Sequence, residues 1–208
     1  MATGLPGTSR PGGRTERTRV AVLRATLDLL VERGFPDLTV EAVAERSGVH
    51  KTTVYRRWAS RDGLVAAALQ MGTEVPWTPA DTGSLAGDLR EMLLEVVRAF
   101  TEPGERELPT AAVLTAFQSA RAAEALHDFY QERHVRASVL VTRAVARGEV
   151  PAATDPDEVT RTACGPVFYR LFISREPVDD ATARTAAEAA AAAARAGVLT
   201  AQRADESG

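Results

Sequence analysis

Between Thr39 and Trp58 a single glycine, Gly48, separates two short runs whose apolar residues fall at helical spacing. Few folds accept that pattern. Glycine alone takes a left-handed backbone without steric cost, so Gly48 stops the first run and turns the chain. Ala44 stands where two helices would cross closely, and its small side chain permits the approach. Val43, Val49 and Val54 are spaced to point inward and lock the pair together. Small residue, turn glycine and inward apolar side chains at these offsets make a helix-turn-helix. The second helix is then left with a free outward face.

That face lies in "GVHKTTVYRRW", residues 48–58, which holds the chain's only lysine, Lys51. Lys51, Thr52, Tyr55 and Arg56 share one side, because residues three and four apart align on a helix. Lys51 and Arg56 can donate to guanine O6 and N7, and a threonine can bond a base or touch a thymine methyl. The Tyr55 and Thr39 hydroxyls, Arg57 and Arg61 suit backbone phosphates, and we group His50 with them. Charge is distributed to match. Residues 1–72 carry +4 and residues 73–208 carry −7, a basic front end on an acidic body. The front end is expected to meet a polyanion.

The remaining pattern predicts an all-α chain without repeats. Residues 1–14, rich in Gly, Pro, Ser and Arg, read as a disordered basic arm. From Thr15, Val20, Leu23, Leu27 and Leu30 mark a first helix that Gly34 stops. Thr39 caps the second helix and Ser60 the fourth, with Glu41 and Asp62 in their first turns. "GTEVPWTPADTG" then punctuates the chain, which predicts a DNA-binding domain over 15–72 and a helical body over 73–208. In the body, Leu85, Leu89, Met92, Leu93, Val96 and Phe100 form a stripe, and a long helix from about Arg121 ends at Gly148 with Pro151 beyond. Asp155, Pro156 and Glu158 agree on the start of another helix, which Pro166 should bend. A last helix is expected from near Asp180 to Gly197.

The block Thr39–Val49, with Lys51–Trp58 and Ser60–Leu64, resembles the DNA-binding domain of the TetR (tetracycline-repressor-like) family over roughly residues 15–71. Two departures are mild: Arg61 stands where the family usually has lysine, and Trp58 where phenylalanine is common. The resemblance implies that Lys51, Thr52, Thr53 and Arg56 lie at the bases, and that Thr39, Tyr55, Arg57 and Arg61 lie on the backbone. It further implies a homodimer in which the last two helices pair with their copies as a four-helix bundle. The alanine-rich face of residues 181–196 suits that role, since small side chains let helices approach; packing within its own subunit is the alternative. A small-molecule effector would enter between the first and penultimate helices of the body, with Phe100, Phe117, Gln118, Phe168 and Phe172 as candidate contacts.

The function expected is a dimeric regulator, a repressor, that binds a palindromic operator and is released by a small molecule. A DNA binder without sequence preference and a helical enzyme with an incidental basic segment are the rival readings. No nucleophile elbow, HExxH, P-loop or Gly-rich dinucleotide turn appears, so no catalytic residue, metal or cofactor is assigned. His127 and His134 lie two turns apart on one helix, too far to share a metal directly. The lone cysteine, Cys164, excludes an intrachain disulfide and fits a reducing cytoplasm. Neither a secretory signal nor a membrane-spanning run is found, so a cytoplasmic protein is expected.

Overall fold

The computed structural model describes residues 12–71 and 77–200. Most of the expected arm, and residues 72–76 of the punctuating segment, lie outside the described residues. The helices are α1 (Gly12–Arg33), α2 (Val40–Ser47), α3 (Lys51–Trp58), α4 (Arg61–Gln70), α5 (Leu85–Thr101), α6 (Glu107–Ala116), α7 (Ala120–Ala146), α8 (Pro156–Phe168) and α9 (Asp180–Arg195). The first begins three residues before the expected Thr15. Among the described residues there is no strand, only an isolated bridge between Thr154 and Thr200.

Local chemistry sets most of the helix ends. The Thr39, Ser60 and Ser84 side chains accept from backbone N–H groups at the starts of α2, α4 and α5. Asp155 does the same for α8, whose first residue is Pro156. Asp179 and Thr182 form a reciprocal capping box on α9. Glycines with positive φ, among them Gly34, Gly48, Gly148 and Gly197, follow α1, α2, α7 and α9.

Two apolar cores result. The first gathers Leu23, Leu30, Leu38, Val43, Val54 and Leu64 from α1 to α4, and it also takes in Ala112, Ala122 and Ala125 from α6 and α7. Helix α4 lies along α7, and the Ser119 hydroxyl at the start of α7 donates to Asp62 of α4 at 2.5 Å. The front end is therefore seated on the body by shared apolar packing.

The second core joins Leu85, Leu89 and Leu93 of α5 to Val159, Ala163 and Val167 of α8 and to the alanines of α9. Here one expectation needs correcting. Ala183, Ala187, Ala190, Ala191 and Ala194 are fully buried inside the protomer, so the alanine row cannot be the surface offered to a second subunit. Helix α9 is small on both sides, and the leucine stripe of α5 claims one of them. Ala181, Thr185, Ala189 and Ala192 remain exposed on the other.

Pro166 lies inside α8, which stays α-helical from Pro156 to Phe168. Beyond it the helix passes into a π-helical turn over Tyr169–Ser174. That turn carries Phe172 toward Phe100 and Phe168.

Candidate nucleic-acid interface and ligand cavity

The interface is built on the corner between α2 and α3. Gly48 sits at φ 67°, and Val49 donates its N–H to the Ala44 carbonyl at 3.1 Å, closing the turn. Val43 and Val54 are fully buried and Trp58 nearly so, which fixes α3 by its inner side. Its outer side is left to solvent: His50, Lys51, Thr52, Tyr55, Arg56 and Arg57 are all exposed, with Thr53 half-buried beside them. The cations and hydroxyls predicted to meet DNA thus share one surface on a helix whose other face is locked into a core.

Several of these groups already have partners. His50 Nδ1 lies 2.9 Å from the Thr52 hydroxyl. The Tyr55 hydroxyl donates to Glu41 at 2.9 Å, which holds the carboxyl below its ordinary pKa and the phenol above its own. A phosphate approaching Tyr55 would compete with that carboxylate. Thr39 is exposed and accepts from the Ala42 N–H, leaving its own hydroxyl proton free to donate. Arg57 lies over the Trp58 ring, 5.1 Å from its centroid.

Arg61 differs from the other phosphate candidates. Its guanidinium lies 4.4 Å from the Phe35 ring centroid and donates to the Phe35 and Pro36 carbonyls at 3.3 and 3.0 Å. It clamps the α1–α2 loop to the start of α4. Any phosphate contact by Arg61 uses the donors left over.

The exit from α3 is unusually tight. Ala59 has φ 62°, and the Ser60 N–H donates to the Trp58 carbonyl at 2.7 Å, a strained three-residue turn. Gly63 makes this corner possible: a Cβ there would stand 2.1 Å from the Trp58 carbonyl oxygen. Gly63→Ala should force α3 and α4 apart and lower stability by about 1–3 kcal/mol, measurable by thermal unfolding. Neither Ala59 nor Gly63 stood out in the sequence, because the constraint on each arises from a contact with its neighbours.

In the body, a cavity of about 340 Å³ lies between α5, α7 and α8, with Phe100 and Phe168 in its wall. The two rings meet edge to face at 5.5 Å, and Phe172 packs on both at 5.6 and 6.2 Å. Phe172 lines the adjoining clefts. The other two candidates line those clefts rather than the cavity itself. Phe117, at the end of α6, is 82% exposed and lines an open groove with Tyr169 and Ile173. Gln118 is also exposed, donates to the Leu114 carbonyl, and lines a cleft with Phe100 and Phe172. Sequence reading missed Trp77, Phe129, Tyr130 and Arg133, which complete the cavity. Burial pushes the Tyr130 phenol and the Cys164 thiol each up to about 12, so Cys164 stays a protonated, poorly nucleophilic thiol at neutral pH. His127 is exposed, whereas His134 lines the cavity 3.6 Å from Asp157. No helix among the described residues is long and apolar enough to cross a membrane.

Comparison with known proteins bears on both parts of the chain. Residues 22–68 match the family described as "Bacterial regulatory proteins, tetR family". Residues 79–204 match "Tetracyclin repressor-like, C-terminal domain". The chain is 30% identical over 172 residues to the uncharacterized HTH-type transcriptional regulator YdeS of Bacillus subtilis (strain 168), covering 82% of this chain and 86% of that one. It is 28% identical to a DNA-binding transcriptional repressor TetR of Mycobacteroides abscessus, covering 81% and 88%. Among solved structures, the TetR family transcription regulator SCO0332 superposes with a TM-score of 0.63 at 29% identity, over 85% of this chain and 97% of that one.

Proposed function

The chain belongs to the TetR family of helix-turn-helix transcriptional regulators, and on that premise we propose that it represses transcription as a dimer bound to a palindromic operator. One observation carries the reading. Lys51, Thr52 and Arg56 stand exposed on a helix whose opposite face, Val54 and Trp58, is anchored in a core. A rigidly held outward face with two cations and a hydroxyl suits direct reading of major-groove edges. Thr53 completes the base-facing set, and Thr39, His50, Tyr55, Arg57 and Arg61 serve the backbone. Repression follows from occupying promoter DNA.

The dimer is assigned to the outward faces of α8 and α9. Tyr169 is 57% exposed and Ile173 67%, next to Gly165, where a Cβ would meet nothing within 4 Å. Large apolar side chains left in solvent beside a glycine, on the π-helical turn that continues α8, suit a helix-pairing surface. A small-molecule effector occupies the cavity between α5, α7 and α8 and alters the spacing of the two α3 helices. A small rotation suffices, because both half-sites must be engaged together.

Selection of bound fragments from the source genome tests the operator reading. One short, roughly two-fold symmetric sequence is expected to emerge, bound at least about 10³-fold more tightly than random duplex. Fragments sharing no sequence would refute it.

A further inference from the structure

We infer that the cavity between α5, α7 and α8 selects a flat aromatic ligand with an anionic head group, and that Arg133 is the residue that takes the anion. The inference rests on the effector reading above and names the chemical class of that effector. Five aromatic rings stand in the walls: Trp77, Phe100, Phe129, Tyr130 and Phe168. At about 340 Å³ the volume lies near the lower end of the usual range for ligand pockets, about 300–1,000 Å³, and suits two fused rings with a small polar substituent.

The polarity of the site is decided by which of its charges are already engaged. Glu95 accepts the Trp77 indole N–H at 2.5 Å, which holds the ring in place and leaves the carboxylate its charge, facing Arg133. Arg133 feels the Glu95 and Glu132 carboxylates only through space. Its guanidinium lies 5.1 Å from the Phe129 centroid and 6.0 Å from that of Trp77. Among the described residues it makes no hydrogen bond and no ion pair. Burial works against its charge, a cost that a bound anion would offset. His134 adds a buried Nδ1 that makes no hydrogen bond and lies 3.6 Å from the Asp157 carboxylate, which is shared with Arg161 at 3.5 Å.

A cationic ligand fits badly for the same reasons. Arg133 already lies against the Trp77 and Phe129 rings, and the one carboxylate of the wall, Glu95, already acts on Arg133, so a second cation would meet like charge. An aromatic carboxylate can instead lie among the rings and accept two parallel N–H bonds from the guanidinium fork.

Calorimetric titration of the full-length protein with naphthoate, naphthamide and naphthylmethylammonium tests this, since the three share a ring system and differ in charge. Naphthoate is expected to bind about 10-fold or more tightly than the amide, and the ammonium compound most weakly. Arg133→Met should abolish the preference for the acid while retaining the amide, and Arg133→Lys should keep part of it. Equal binding of acid and amide, tightest binding of the ammonium compound, no binding of any probe, or a preference that survives in R133M would each overturn the inference. Operator binding followed in parallel separates this from the effector reading. Acid that binds selectively but leaves the operator complex intact would count against an effector role while sustaining the anion selectivity. Operator release by the ammonium compound alone would do the reverse.

Discussion

Replacing both Tyr169 and Ile173 by aspartate is expected to split the dimer into monomers and leave the protomer's own stability almost unchanged. Both side chains stand largely in solvent within the protomer, so charging them costs its fold little. Across a two-fold axis the same patch meets itself, and the double substitution would bring four carboxylates into one apolar contact. Sedimentation velocity at micromolar concentration should change from dimer to monomer mass, with a thermal midpoint close to that of the parent. Operator affinity should fall by roughly 10²- to 10⁴-fold, since each half-site would then be held without the help of the other. A variant that remained dimeric would place the subunit contact on another surface.

Lys51→Ala should cost about 1–3 kcal/mol on the operator and relax the preference at one base position. Lys51 is exposed at the first turn of α3 and supports nothing inside the protein, so the loss reports on DNA alone. Arg57→Ala is the fitting control. It removes a cation assigned to the backbone, so it should weaken specific and random duplexes alike and lower the salt slope by about 1. Arg61→Ala would serve less well. That side chain also clamps the Phe35–Pro36 loop, and its removal would mix a lost charge with a loosened domain. Identical behaviour of K51A and R57A on specific and random DNA would remove the distinction between reading and positioning.

The helix-turn-helix was readable from sequence because its constraints are local. Gly48 turns the chain, Thr39 and Ser60 cap the helices that follow them, and Val43 and Val54 fall on the inner side by spacing alone. What depended on distant contacts was harder to read. Periodicity shows that α9 has small residues on two faces, but only the position of α5 decides which of them is buried. The cavity posed the same difficulty: Phe129, Tyr130 and Arg133 lie on a long helix with polar and apolar residues on several sides, so nothing in their spacing distinguishes cavity wall from surface. Phe117 shows the converse, an aromatic that suggests a wall and stands at 82% exposure. Asp88 went unread altogether. It is fully buried at the start of α5, accepting both the backbone N–H and the hydroxyl of Thr82, and its partners come from a proline-flanked segment without regular pattern.

Dimethyl sulfate footprinting on a selected genomic fragment asks most directly whether α3 enters the major groove in two copies, because the reagent methylates guanine N7 there. Two clusters of protected guanines are expected on one face of the duplex, about one helical turn (~34–36 Å) apart, and both should fade when Lys51 is replaced by alanine. Guanines that stay reactive throughout while the protein remains bound, or one protected cluster without a symmetric mate, would contradict it.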